Sequence, residues 1–263
     1  MTSRSAVNPL FTDDQLSCDG FLGGRLALWQ PRAGYRAGVD PVLLAAAVAA
    51  KPGESVLELG CGAGAAMLCL AARVPGLAGV VGVEGQPLYA DLARRNAAKN
   101  GIDVAVVTAD VAALPADLRG QSFDHVIANP PYFLRAHSTA SPRPIREAAM
   151  GEVTPLGIWV DVAARRLRHR GLLTMIQNAA RLPDLLGAIA PRLGSIRVLP
   201  IAPRHGRPAG LVIVQARKGG RAEFALLAPL IMHEGARHLA DGDSYTPQLR
   251  AILREGAALD WPA

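Results

Sequence analysis

The stretch Ser55-Val-Leu-Glu58-Leu-Gly60-Cys-Gly62-Ala-Gly64-Ala65 decides the fold. Residues 55–59 read as a short buried strand that stops at glycine. The alternating glycines let the backbone turn tightly into a helix, read at 65–74, whose first amides face a ligand. A strand, a glycine loop and a helix in that order open a nucleotide-binding α/β domain. The string also satisfies G-x-G-x-x-A, with Ala65 in the last place, so the loop alone leaves the cofactor open. Glu84, about twenty residues on, fits either reading, because a carboxylate there takes the ribose hydroxyls of NAD or of S-adenosylmethionine equally.

Outward from this unit the alternation continues. Further strands are read at 80–84, 104–109, 123–128 and 172–176, with a closing pair at 196–201 and 211–216. Helices are read at 40–50, 87–100, 155–168 and 182–193, and Gly101 stops the second of them. This spacing implies an α/β fold with a doubly wound, mostly parallel, seven-stranded Rossmann-like sheet. Residues 21–29 hold two apolar blocks about Gly23-Gly24 and read as a hairpin.

Composition sets the outer bounds. Half of the 263 residues are hydrophobic, which excludes a disordered chain. The net charge is +6, and only three of the 28 basic residues are lysine, so guanidinium groups suited to phosphate dominate. The longest apolar run, 42–50, is far short of the roughly 20 residues a membrane helix needs, and no apolar leader opens the chain. Three cysteines without a C-x-x-C pair fit a reducing compartment, so a cytoplasmic protein is expected. The histidines of His233-Glu-Gly-Ala-Arg-His238 are five apart and do not share a helix face, so no metal site is expected.

Three features favour the sulfonium cofactor. Glu58 lies two residues before the first glycine, where it would repel a pyrophosphate and can receive a methionine ammonium. Asp110 follows the third strand of this core and can take an adenine amine, or can cap the next turn. Most specific is Asn129-Pro130-Pro131-Tyr132 after the fourth. Its prolines fix the backbone and remove N–H donors, leaving acceptors. The Asn129 side-chain oxygen and the Pro130 carbonyl can both accept from one planar NH₂ group, and Tyr132 can stack on the ring that carries it. Such a pocket aims a weakly nucleophilic nitrogen at a methyl donor by orientation and charge complementarity.

In that order these motifs resemble the class I S-adenosylmethionine-dependent methyltransferases of the NPPY group. The group acts on amino nitrogens: adenine N6, guanine N2 of ribosomal RNA, and a glutamine of release factors. The segment Tyr35-Arg36-Ala-Gly38-Val-Asp40-Pro-Val-Leu43-Leu44 is similar to that of the bacterial tRNA(Val) adenine N6-methyltransferase family, which modifies the adenosine 3′ of the anticodon. The resemblance implies that Arg36, Gly38 and Asp40 close over the methionine end of the cofactor. It also implies that Glu58, Gly60, Gly62, Gly64, Glu84, Asp110 and Asn129 bind it, and that Asn129, Pro130 and Tyr132 are catalytic. The implied partner is RNA, a tRNA in the first instance. Residues 133–154 follow the turn with little periodicity, and with Pro131 and Tyr132 their Arg135, Arg143 and Arg146 are the expected substrate contacts. Arg204 to Arg207 is read as a hairpin tip, and the arginines of 165–170 as a helix end. Two parts are expected: a hairpin and cofactor lid over 1–50, and one catalytic domain over 51–263. Release-factor enzymes carry a separate N-terminal domain, and only about fifty residues precede the glycine loop here, so a protein target is less expected. A non-catalytic RNA-binding module that kept the fold is the alternative of another class.

Overall fold

A computed structural model describes residues 10–131, 133–134, 151–152, 154–235 and 244–261. In chain order the strands are β1 (Leu16–Phe21), β2 (Leu26–Pro31), β3 (Ser55–Leu59), β4 (Gly79–Glu84), β5 (Ala105–Thr108), β6 (Phe123–Ala128), β7 (Phe133–Leu134), β8 (Gly151–Glu152), β9 (Leu167–Asn178), β10 (Gly194–Ala202), β11 (Leu211–Arg217), β12 (Ala225–Leu226) and β13 (Leu230–Ile231). The helices are α1 (Asp40–Ala47), α2 (Ala65–Arg73), α3 (Pro87–Lys99), α4 (Ala116–Arg119), α5 (Leu156–Arg166), α6 (Leu182–Ile189) and α7 (Pro247–Arg250).

The main sheet runs β12-β10-β11-β9-β6-β3-β4-β5, with β13 also on β10. Strands β5, β4, β3, β6 and β9 are parallel, and β11 is antiparallel to both of its neighbours. The seven expected strands are all present, and two-residue β12 and β13 extend the β10 edge to nine. Side chains alternate through β3: Val56 joins the core under α1 and α2, while Leu57 and Leu59 join the one under α5 and α6. Both faces of the strand are therefore buried, which is why its sequence is almost continuously apolar.

The chain starts in the middle at β3, winds outward through β4 and β5, then returns to β6 on the other side of β3. That reversal leaves a crevice at the carboxyl ends of β3 and β6, the switch point where open α/β sheets bind ligands. The glycine loop and the Asn129 turn face each other across it.

Residues 21–29 do form a hairpin, whose β1–β2 pairing starts back at Leu16. The free edge of β2 is covered by side chains. Asn96 on α3 accepts from the Trp29 N–H at 2.6 Å and donates to the Trp29 carbonyl at 3.0 Å. Asn100, one turn on, does the same for Ala27 at 2.9 and 3.0 Å. Two asparagines thus imitate a strand and close an edge that would otherwise invite association. Asn96 also donates to Ala63 in the glycine loop at 2.9 Å, tying the ribbon to the site. Asn96→Ala leaves three buried backbone groups unpaired and should cost about 2 kcal/mol. We expect a Tm fall of about 5 °C by calorimetry, and a change under about 1 °C would contradict this role.

The tail closes the other end of the same layer. The last carbonyls of α1 have no partner within the helix. Arg73 takes that of Ala45, which also receives the Val48 N–H, and that of Val48 just past the helix; the Leu259 N–H takes that of Ala46, and the Trp261 indole that of Ala47. Gly101 stops α3 as expected: its N–H reaches Ala98 and that of Ile102 reaches Ala97, satisfying the last turn.

The arginine-rich end of the 155–168 helix needs correction. α5 stops at Arg166, because Leu167 turns into the core and begins β9. Arg168 therefore sits on the sheet and grips Asp124 with both carboxylate oxygens, at 2.9 and 2.8 Å. Among the described residues, no helix is long and apolar enough to cross a membrane.

Candidate active site

Gly60, Gly62 and Gly64 all have positive φ, from +53° to +86°. At Gly60 a second constraint acts. A Cβ there would lie 2.6 Å from the ring of Trp159, which α5 carries beneath the loop. The Trp159 indole N–H donates to the Thr154 carbonyl at 3.1 Å, so the ring is fixed. The loop is thus a cradle shaped by a buried aromatic edge, with no side chains of its own at these positions.

Two carboxylates line it. Glu58 is only 2% exposed, and its Oε2 accepts the Met67 N–H at the start of α2 at 2.8 Å. Burial, reinforced by the charge of Glu84, pushes its carboxyl up to about 8 against the pull of that N–H. Glu84 ends β4 and accepts the Gly62 N–H at 2.9 Å and the Gln86 N–H at 2.8 Å. Burial raises its carboxyl too, with those backbone donors opposing. Tyr35 lies against the loop, its ring 4.0 Å from where a Gly62 Cβ would stand. Its backbone is clamped by the buried Tyr89 hydroxyl, which accepts from the Tyr35 N–H at 3.1 Å and donates to its carbonyl at 3.2 Å. Burial raises the Tyr35 phenol, and the charges of Asp40, Glu58 and Glu84 add to the effect.

We expect an ammonium seated against Glu58 to drive its ionisation, so that binding releases a proton and tightens as pH rises from 6 towards 8. S-Adenosylhomocysteine should release close to one proton at pH 7, read from the buffer dependence of its binding enthalpy, and Glu58→Gln should abolish the release. Absence of proton release from wild-type protein would contradict the assignment. The stability consequence has the same sign logic. The folded value lies above the ordinary 4.5, so the contribution of Glu58 is complete below 4.5 and is lost as pH rises through about 8.

Asp110 takes the second of its two expected roles in this structure: its Oδ1 accepts the Ala112 N–H at 2.8 Å and caps the short helical turn after β5. Its carboxylate remains exposed at the rim. Arg36 points elsewhere. Its guanidinium reaches Asp19 at 2.5 Å, Ser17 at 2.8 Å and the Pro31 carbonyl at 2.9 Å, fastening the 32–39 segment to the ribbon. Gly38 and Asp40 lie where that segment enters α1.

Across the crevice, Asn129 follows β6. Its Oδ1 is buried and finds no hydrogen-bond partner among the described residues. An orphaned amide oxygen costs about 1–3 kcal/mol, which a donor from a bound molecule would offset. Pro130 is buried beside it, and its carbonyl receives the Gln177 side chain at 3.4 Å. Tyr132, Arg135, Arg143 and Arg146 lie outside the described residues. Among those described, no cluster of three or more His, Cys, Asp or Glu is placed to hold a metal. His233 instead stacks on Tyr245, ring centres 4.8 Å apart. Sequence reading missed Trp159, Tyr89, Asn96 and Gln177, whose roles arise only from packing; Tyr35 heads the quoted segment but carried no assigned role.

The arrangement fits S-adenosylmethionine. The cradle gives room for its backbone-like methionine, the raised Glu58 suits its ammonium, and Glu84 at the end of β4 suits its ribose. The family of the methyltransferase small domain matches residues 37–184. A tRNA1(Val) (adenine(37)-N6)-methyltransferase of Porphyromonas gingivalis is 33% identical over 196 residues, covering 69% of this chain and 76% of its own. One from Dickeya chrysanthemi is 30% identical over 254 residues, covering 91% and 94%. A crystal structure described as a predicted O-methyltransferase from Agrobacterium tumefaciens superposes with a TM-score of 0.67 at 29% identity, covering 84% of this chain and 98% of that one. With the glycine cradle, the raised carboxyl and the waiting amide oxygen, these matches lead to one conclusion: the chain belongs to the methyltransferase small-domain family and is an S-adenosylmethionine-dependent N-methyltransferase.

Proposed function

We propose that the protein methylates the exocyclic N6 of an adenine in a tRNA, beside the anticodon, and works in the cytoplasm where tRNA is found. The observation that carries this reading is the buried Asn129 Oδ1, which finds no partner among the described residues and belongs to the residue just before Pro130. Two acceptors side by side suit an NH₂ group, and the names of the Porphyromonas and Dickeya relatives support adenine and tRNA.

S-Adenosylmethionine supplies a methyl group on a positively charged sulfur. Glu58 receives the ammonium and Glu84 the ribose hydroxyls, while Asp110 at the rim meets the adenine edge of the cofactor. Arg36, Gly38 and Asp40 fold the preceding segment over the methionine end. Asn129 and Pro130 each accept one N–H of the target amine. Those bonds turn its lone pair out of the ring and along the line of attack, and they strengthen as the nitrogen gains positive charge. The proton passes to water once the new bond has formed, so no side chain has to act as a base. Tyr132 stacks on the flipped base with Pro131 at its edge, and Arg135, Arg143 and Arg146 meet the flanking phosphates.

Total RNA from a strain lacking the gene tests this, treated with the enzyme and labelled cofactor and digested for nucleoside mass spectrometry. N6-methyladenosine in the tRNA fraction is the expected product. N2-methylguanosine, or label only in protein, would overturn the adenine assignment.

A further inference from the structure

We propose that Gln177 is a positioning residue that aims the Pro130 carbonyl at the target amine. The proposal rests on the reading of the Asn129 turn as an amine acceptor.

The β6–β9 ladder ends at the pair Ala128–Met175. It has to end there, because the next residues on β6 lead into Pro130 and Pro131, which have no N–H to donate. β9 nevertheless continues to Asn178. Carrying the register forward places Gln177 level with Pro130. There the side chain takes over from the ladder. Its Oε1 accepts the Asn178 N–H at 2.8 Å, and its Nε2 donates to the Pro130 carbonyl at 3.4 Å. The side chain is completely buried. An amide lying between two strands, accepting on one side and donating on the other, is a peptide group in all but connectivity. It bridges the Asn178 N–H to the Pro130 carbonyl where the direct ladder has ended.

The consequence falls on the site. A carbonyl oxygen carries two lone pairs in one plane. Gln177 engages one and so fixes the plane of the Pro130 carbonyl, leaving the other for the incoming N–H. Without that bond the Pro130 carbonyl loses the hydrogen bond that ties it to β9. Displacement of an acceptor by about 1 Å can cost on the order of 10² in rate, because the amine is no longer in line with the methyl donor.

Two substitutions test this. Gln177→Met fills the same volume without hydrogen bonding. Gln177→Glu keeps the acceptor for the Asn178 N–H but turns a carboxylate oxygen on the Pro130 carbonyl. Each is assayed with tritiated-methyl cofactor and total tRNA from a strain lacking the gene, alongside calorimetric titration with S-adenosylhomocysteine and thermal melting. Gln177→Met is expected to lower kcat at least about tenfold, with the KM for tRNA and the affinity for S-adenosylhomocysteine within about twofold of wild type. Gln177→Glu should regain activity as pH falls. The protonated acid donates to the carbonyl where the carboxylate repels it, and burial keeps its titration within the assay range. Wild-type protein should show no such acidic rise. A purely structural Gln177 would give the glutamate variant no acidic gain over wild type. Wild-type kcat in Gln177→Met, or a Gln177→Glu pH profile parallel to that of wild type, overturns the proposal. A wild-type enzyme that binds S-adenosylhomocysteine but methylates no RNA overturns instead the reading beneath it.

Discussion

Asn129→Ala is expected to lower turnover by about 10²–10³-fold while S-adenosylhomocysteine binds within about twofold of wild type. The two halves of that expectation come from different parts of the structure. The proposed cofactor contacts lie on the glycine loop, Glu58 and Glu84, and among the described residues the Asn129 Oδ1 hydrogen-bonds to none of them. Among the described residues its buried oxygen has no partner, so its removal should take from the resting protein only a polar group that folding had to desolvate. The variant should melt no lower than wild type. The loss appears only when an amine must be held in line and begins to carry positive charge. Initial rates of tritiated-methyl transfer, read beside calorimetric titration, check both halves. An equal loss of cofactor affinity would assign Asn129 to cofactor binding alone.

Gly60→Ala should do the reverse and empty the cradle. The added Cβ would stand 2.6 and 2.8 Å from two carbons of the Trp159 ring. That ring is buried and tethered to Thr154, so it cannot yield as a flexible chain would. A φ of +68° adds the left-handed penalty of about 1–2 kcal/mol. Together with overpacking of about 1–3 kcal/mol, the total is about 3 kcal/mol, or a Tm fall on the order of 10 °C. A displaced loop also misplaces the Gly62 N–H that fixes Glu84, so affinity for S-adenosylhomocysteine should drop by roughly 100-fold or more. Trp159→Leu in the same chain removes the ring and should restore part of the stability, since the two positions are in contact. Melting and affinity of Gly60→Ala close to wild type would show that the loop is not shaped by this contact.

The contrast between the two sites explains what the sequence makes legible. Parallel strands are apolar on both faces, so 55–59 and 123–128 stand out, and glycine and proline mark their ends. The Asn129 turn is equally plain, because its chemistry lies in consecutive residues. By contrast, β12 and β13 are two residues each and exist through pairing with β10, leaving no periodic trace. Arg168 and Arg170 looked like a helix end because the first residues of β9 are polar and exposed. Asn96 and Asn100 cover β2 from sequence positions about seventy residues away, and Trp159 meets Gly60 across a hundred. Nothing local distinguishes those side chains from ordinary helix residues. Arg36 shows the same limit from the other side: its charge is apparent, but its grip on Asp19 depends on how the ribbon folds back.

The most direct test is a crystal structure with S-adenosylhomocysteine and adenosine bound together. The account predicts the N6 amine within about 3.2 Å of both the Asn129 Oδ1 and the Pro130 carbonyl, facing the cofactor sulfur. An amine bound elsewhere, or a sulfur turned away from Asn129, would contradict it.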